Sequence, residues 1–238
     1  MEFEVNERDA LLVVDVQRDF CPGGSLPVPE GDKVVPVLND YMRLFKKAGS
    51  WIYATRDWHP PDHMSFKEQG GLWPPHCIQG SEGAELHPDL KLPEETVVIS
   101  KATSPSKEAY SGFEGTNLAE HLKSRGTRRV FVGGLATDYC VKSTVLDALE
   151  LGFETVLLLD ATLGVNVEPE DSDKAIHEMR ENGALTATLS DILERLADLE
   201  EIDSLEEMEE EALTEAEKKR VARLRMRGPY RKSLLETQ

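Results

Sequence analysis

Three residues suited to acyl transfer stand at the ends of apolar runs. Asp15 lies in ALLVVDV, Lys101 in TVVISKA, and Cys140 follows RVFVGGLA in LATDYCVKSTVLDAL. An ionised cysteine is a strong nucleophile, and a nearby cation or a helix N-terminus favours that ionised form. A carboxylate beside it can take the thiol proton and later return it. With Thr137 as an N-cap, Cys140 falls in the first turn of the following helix, which predicts a depressed thiol pKa. A lone buried cysteine is more often a small hydrophobe. Asp15 is harder to set aside, because a carboxylate among valines and leucines is costly unless a partner or a function compensates. Lys101 as its salt-bridge partner, and nothing more, is the plainer alternative.

A second group gathers in DWHPPDH and WPPHC. Asp57, His59, His63 and His76 suit a divalent transition metal, zinc first, then iron or manganese, ahead of calcium or magnesium. Three of the six histidines fall within residues 59–76. A single loop histidine is usually solvated, so the cluster carries the signal. Cys77, next to His76, is assigned to packing, as are His87, His121 and His177 to packing or surface.

Elements must bring these groups together. Apolar runs at 10–16, 51–57, 96–102, 129–136 and 155–162, with a short one at 184–188, read as strands covered on both faces. Amphipathic stretches at 32–48, 117–125, 138–151 and 170–182 lie between them, and glycines close all four. The alternation predicts a three-layer α/β/α fold with a six-stranded parallel sheet. In such sheets ligands bind beyond the carboxyl ends of the strands, where Asp15, Asp57, His59, Lys101 and Cys140 all fall. Long Pro/Gly-rich connections at 58–95 and 103–115 are expected to build the pocket.

Composition narrows the partners. A net charge of −18 over 238 residues disfavours nucleic acid and anionic membranes. No apolar run approaches the roughly 18 residues of a membrane span, so a cytoplasmic protein is expected. Three cysteines without a secretion signal make a disulfide framework improbable. The domain is expected to occupy 1–190, followed by a charged helical extension over 191–238. There Ile192, Leu196, Leu199, Ile202, Leu205 and Met208 form one apolar stripe, suited to packing on its own domain or to a homo-oligomer through a second copy.

Five segments resemble the nicotinamidase/pyrazinamidase branch of the isochorismatase-like cysteine hydrolases: VVDVQRDFCPGGSL, TRDWHPPDHMSF, WPPHCIQGSEGAELHP, ISKATSPSKEAYSGFEGT and GLATDYCVKSTVLDAL. The likeness spans roughly residues 10–190. It implies a catalytic triad of Asp15, Lys101 and Cys140 and a metal site of Asp57, His59, His63 and His76. It also implies an oxyanion hole from the backbone amides of Ala136 and Cys140, with a cis peptide between Leu135 and Ala136. Phe20, Trp73 and Tyr110 would wall a pocket for a flat heteroaromatic ring. The implied substrate is nicotinamide, with pyrazinamide-like amides beside it; the rival is another small amide or ester. Members vary in the spacing before the third metal ligand, and some use only the equivalents of Asp57, His59 and His76.

Overall fold

The computed structural model describes residues 4–193, 218–220 and 223. Contacts gather Val5–Thr186 into one compact unit. The strands are β1 (Asp9–Val14), β2 (Trp51–Asp57), β3 (Val97–Lys101), β4 (Arg129–Leu135), β5 (Glu154–Leu163) and β6 (Leu185–Ala187). They form one six-stranded parallel sheet, as the apolar runs predict, and its strand order is β3-β2-β1-β4-β5-β6. β1 therefore lies between β2, on one side, and β4, on the other. Where the strand order reverses, the crossovers leave in opposite directions and a crevice opens at the carboxyl ends.

The helices are α1 (Val34–Lys47), α2 (Leu118–Ser124), α3 (Lys142–Glu150) and α4 (Asp171–Glu181). Alternation along β1 divides its side chains between the two faces. Ala10, Leu12 and Val14 join Leu118 and Leu122 of α2, Val145 and Ala148 of α3, and Ala175 and Met179 of α4 in one buried cluster. On the opposite face α1 buries Val34, Val35, Leu38, Tyr41, Met42 and Phe45, spaced by threes and fours as an amphipathic helix requires. Phe45 meets Phe131 of β4 edge-on, with ring centroids 5.0 Å apart. The strands pack on both sides, which accounts for their unbroken apolar character.

Two departures from the sequence reading concern the segment after β4. The helix expected to run continuously over 138–151 instead opens with a π turn, Thr137–Val141, and continues as α3. Thr137 is not an N-cap: its hydroxyl is 2.8 Å from that of Thr162 on β5, and that partner outcompetes the helix amides. The N–H groups of Tyr139 and Val141 both donate to the Ala136 carbonyl at 3.1 Å, which widens the turn. Just upstream, Gly134 adopts φ +124°, and a Cβ there would lie 2.1 Å from the Val14 carbonyl oxygen. Only glycine lets β1 and β4 approach this closely at the crevice.

Residues 58–95 contain only two short 3-10 turns, Lys67–Gln69 and Glu82–Ala84. Single bridges fasten them: Gln17 with Leu86, His59 with Ile78, and Phe66 with Trp73. No helix among the described residues is long and apolar enough to cross a membrane. Beyond β6, the Thr188 N–H and hydroxyl both donate to Asp191 Oδ2 at 2.7 Å, opening a final helical stretch. Apart from Ile192, the apolar stripe expected in the extension lies outside the described residues.

Candidate active site

Lys101 ends β3, and its side chain runs inward to full burial. A lysine is almost never buried without partners. Here Nζ lies 2.9 Å from Asp15 Oδ2, donates to Asp57 Oδ1 at 2.5 Å and to the Ala109 carbonyl at 3.1 Å, and lies 3.5 Å from Cys140 Sγ. Asp15 follows β1 in the left-handed region, φ +50°. That conformation is uncommon outside glycine and costs about 1–3 kcal/mol. Thr55 on β2 holds it there: the Asp15 N–H donates to the Thr55 carbonyl at 3.2 Å, and the Thr55 hydroxyl donates to Asp15 Oδ1 at 2.6 Å. Asp15 Oδ2 meets the Lys101 ammonium as a fully buried ion pair. The carboxylate oxygens of Asp15 and Asp57 and the sulfur of Cys140 all lie within 4.8 Å of one another.

Electrostatics set the resting protonation. Burial works against the Lys101 ammonium, but Asp15, Asp57 and Cys140 outweigh it, and its pKa sits well above the usual lysine value. Burial also raises the Asp15 carboxyl, with Lys101 opposing and Asp57 reinforcing. The Cys140 thiol is pushed well above its ordinary range, first by burial, then by Asp15 and Asp57, against the pull of Lys101. This corrects the expectation of a depressed thiol. The cysteine rests protonated, because two carboxylates and the loss of water outweigh one ammonium. A thiolate at this position would need a base, and Asp15 is a carboxylate within reach.

Asp57 joins this cluster to a second one. Gln17 clamps its main chain: the Asp57 N–H donates to Gln17 Oε1 at 2.7 Å, and Gln17 Nε2 donates to the Asp57 carbonyl at 2.8 Å and to that of Ala84 at 2.9 Å. Ligand atoms of Asp57, His59 and His76 lie within 4.8 Å of one another, all three residues buried. His59 Nδ1 is 3.1 Å from the His76 carbonyl, and His76 Nδ1 is 2.8 Å from that of Pro74. A carbonyl can only accept, so in both rings Nδ1 is a donor, which leaves Nε2 as the nitrogen that could bind a metal. Burial, with His76 adding, lowers the His59 pKa to about 3, so the ring is neutral. Two imidazoles and a carboxylate fit a divalent transition metal.

His63 stands beside this set with the opposite polarity. Its Nδ1 accepts from the Ser65 N–H at 3.3 Å and lies 2.8 Å from the Ser65 hydroxyl; its Nε2 lies 3.1 Å from the Lys107 carbonyl. Nε2 therefore bears the proton and donates across to the 103–115 loop. The Met64 N–H donates to the Pro105 carbonyl at 2.8 Å beside it. In this arrangement His63 ties two loops together, although its ligand atom also falls within 4.8 Å of those of His59 and Glu108.

The aromatic residues divide into two groups. Phe20 packs against the His76 ring at 5.5 Å, while Trp73 Nε1 donates to the Tyr110 hydroxyl at 3.1 Å. Tyr139, beside the cysteine, contacts both Trp73 and Tyr110 at centroid distances of 5.4 and 5.9 Å. Sequence reasoning did not single out Tyr139, nor Phe66, whose buried ring touches those of His59, His63 and His76 at 5.4–5.8 Å. It also passed over Gln17, Thr55 and Asp19. The Asp19 carboxylate accepts from the Cys77 N–H at 2.7 Å and the Ser25 N–H at 3.0 Å, anchoring the loop that carries His76. Buried polar residues at 17 and 19, so close to Asp15, were the available signal. The peptide between Leu135 and Ala136 is cis, as the resemblance implied.

The isochorismatase domain model matches residues 9–191. The nicotinamidase of Escherichia coli strain K12 is 42% identical over 203 residues, covering 76% of this chain and 95% of its own length. Among solved structures, the pyrazinamidase of Pyrococcus horikoshii in complex with zinc is 55% identical, with a TM-score of 0.74, covering 76% of this chain and 99% of that one. PnC1 from L. infantum in complex with nicotinate is 37% identical, with a TM-score of 0.75, covering 81% and 98%.

Proposed function

The chain belongs to the isochorismatase family, and from that premise we propose that it is a nicotinamidase, hydrolysing nicotinamide to nicotinate and ammonia through a Cys140 thioester. The single observation that carries this reading is the convergence of Asp15, Lys101 and Cys140 beside a three-residue metal set that shares Asp57. The activities named for the E. coli and P. horikoshii relatives, and the nicotinate held by the L. infantum protein, support the substrate.

Asp57, His59 and His76 would hold one divalent ion, with zinc favoured by the P. horikoshii complex and iron or manganese next. When bound, that ion supplies a Lewis-acidic anchor for the nitrogen of the substrate ring. Phe20, Trp73, Tyr110 and Tyr139 would wall the ring, since aromatic faces and edges match a flat heteroaromatic. Pyrazinamide, a ring of the same shape, fits the same description.

The chemistry then runs through residues of this chain. Asp15 Oδ2 takes the Cys140 thiol proton as sulfur adds to the carboxamide carbon. Lys101, fixed by Asp57 and the Ala109 carbonyl, steadies the negative charge as it passes from Asp15 to sulfur. The amides of Ala136 and Cys140 would donate to the developing oxyanion, an effect worth about 3–4 kcal/mol per donor elsewhere. Asp15 returns the proton to nitrogen and ammonia leaves. Water then gives a proton to Asp15 and adds to the thioester; collapse releases nicotinate, and Asp15 restores the thiol proton. The test is ammonia release from nicotinamide by wild type and Cys140→Ala. Loss of turnover with retained fold and bound metal supports the scheme, and substantial residual turnover refutes it.

A further inference from the structure

Lys101 Nζ stands amid a set of atoms able to hold a metal ion. It is 2.9 Å from Asp15 Oδ2, 2.5 Å from Asp57 Oδ1 and 3.5 Å from Cys140 Sγ. These same residues offer two carboxylate oxygens and a sulfur, all buried and within 4.8 Å of one another. They share Asp57 with the Asp57, His59 and His76 set. Thiolate with carboxylate is a donor set that zinc and cobalt accept, and a coordinated thiol gives up its proton outright. A nucleophile one carboxylate away from a metal centre is thus exposed to capture. The metal would bond to sulfur, send the thiol proton to solvent and engage the lone pair that attack on a carbonyl requires.

We infer that the Lys101 ammonium acts as a resident cation that keeps transition metal off Cys140, and that Asp15, Asp57 and Cys140 form a latent second metal site which opens when the ammonium is removed. The ammonium is fixed by a partner outside the set, the Ala109 carbonyl at 3.1 Å. Its stem is buried, so the charge cannot swing away to water. A unit positive charge 2.5 Å from the shared carboxylate repels an incoming dication and occupies the space it would need. If Lys101 served only to favour the thiolate, its removal would leave metal stoichiometry unchanged. This inference rests on the reading of Asp57, His59 and His76 as ligands, and not on the substrate.

The test is a cobalt(II) titration of metal-stripped, full-length protein, following bound cobalt, the thiolate-to-cobalt charge-transfer absorption, and alkylation of Cys140 by iodoacetamide. Wild type should take up one equivalent, show no thiolate band, and lose no Cys140 reactivity with excess cobalt. Lys101→Met keeps the stem and deletes the ammonium; it should take up a second equivalent, show the band and protect Cys140. Adding Cys140→Ser to that variant should abolish the band. If Lys101→Met does not fold metal-free, it is refolded with cobalt and read the same way. A thiolate band in wild type, or a Lys101→Met protein with no extra cobalt and unprotected Cys140, overturns the inference. Should wild type bind no cobalt while Lys101→Met binds it with the band, the Asp57, His59 and His76 reading fails and the latent site stands.

Discussion

The strand-end cluster and the histidine cluster lie side by side, joined through Asp57, yet they are held by different means. Asp15, Lys101 and Cys140 are fixed by sheet register and by charges that have no water to fall back on. The imidazoles of His59 and His76 are instead aimed by main-chain carbonyls of a long irregular loop and packed around Phe66. One region couples chemistry to stability, because each charge is the counter-ion of another. The other couples metal affinity to loop geometry. Substitutions should therefore separate the two, and Asp57 alone should belong to both.

The largest effect is expected at the centre of the charged cluster. Lys101→Ala leaves Asp15 and Asp57 buried without their cation, which should cost about 3–5 kcal/mol in a urea titration of the metal-free protein, together with all measurable ammonia release. Next comes Asp15→Asn, which preserves shape but removes the proton acceptor. Its ammonia release should fall about 10²–10⁴-fold, and its urea midpoint should drop less than that of Lys101→Ala, because Asp57 still faces the ammonium. On the loop side, Phe66→Ala should weaken metal retention about 10–100-fold against a competing chelator, since the imidazoles lose the ring that orients them. His63→Asn should have the smallest effect on metal, leaving one equivalent bound, because Nε2 of His63 serves the Lys107 carbonyl. A His63→Asn protein that loses its metal as readily as His76→Ala would place His63 among the ligands and break the contrast.

The histidine region also carries a pH signature. His59 has a folded pKa lowered from 6.5 to about 3, so the unfolded chain takes up a proton between those values that the folded chain refuses. The associated stability is present in full above pH 6.5 and is lost as pH falls toward 3. For the metal-free protein this predicts a slope of up to about 1.4 kcal/mol per pH unit in that window, measured by urea unfolding. His59→Gln should flatten it.

Much of the strand-end cluster was legible in sequence, for a physical reason. A buried parallel strand is an unbroken apolar run, and the first ionisable residue at its end stands out, as Asp15 and Lys101 do. The protonation of Cys140 was not legible, since it depends on how Asp15 and Asp57 are ranged against Lys101 in three dimensions. Thr137 misled for a similar reason: its hydroxyl had a cross-strand partner, Thr162, that no local pattern reveals. At His63 residue type and spacing suit a ligand, and the contacts with Ser65 and Lys107 add a ring polarity that no local pattern reveals. Tyr139 was hidden in plain view beside Cys140, because a tyrosine at a helix start is ordinarily packing or surface.

The central claim is that Cys140 carries the acyl group. Wild-type protein mixed with nicotinamide, quenched in acid during turnover and digested, should yield a nicotinoyl thioester on the peptide containing Cys140, absent from Cys140→Ser and depleted once substrate is exhausted. Steady turnover with no acylated peptide at any time, or an acyl group on another residue, would contradict the account.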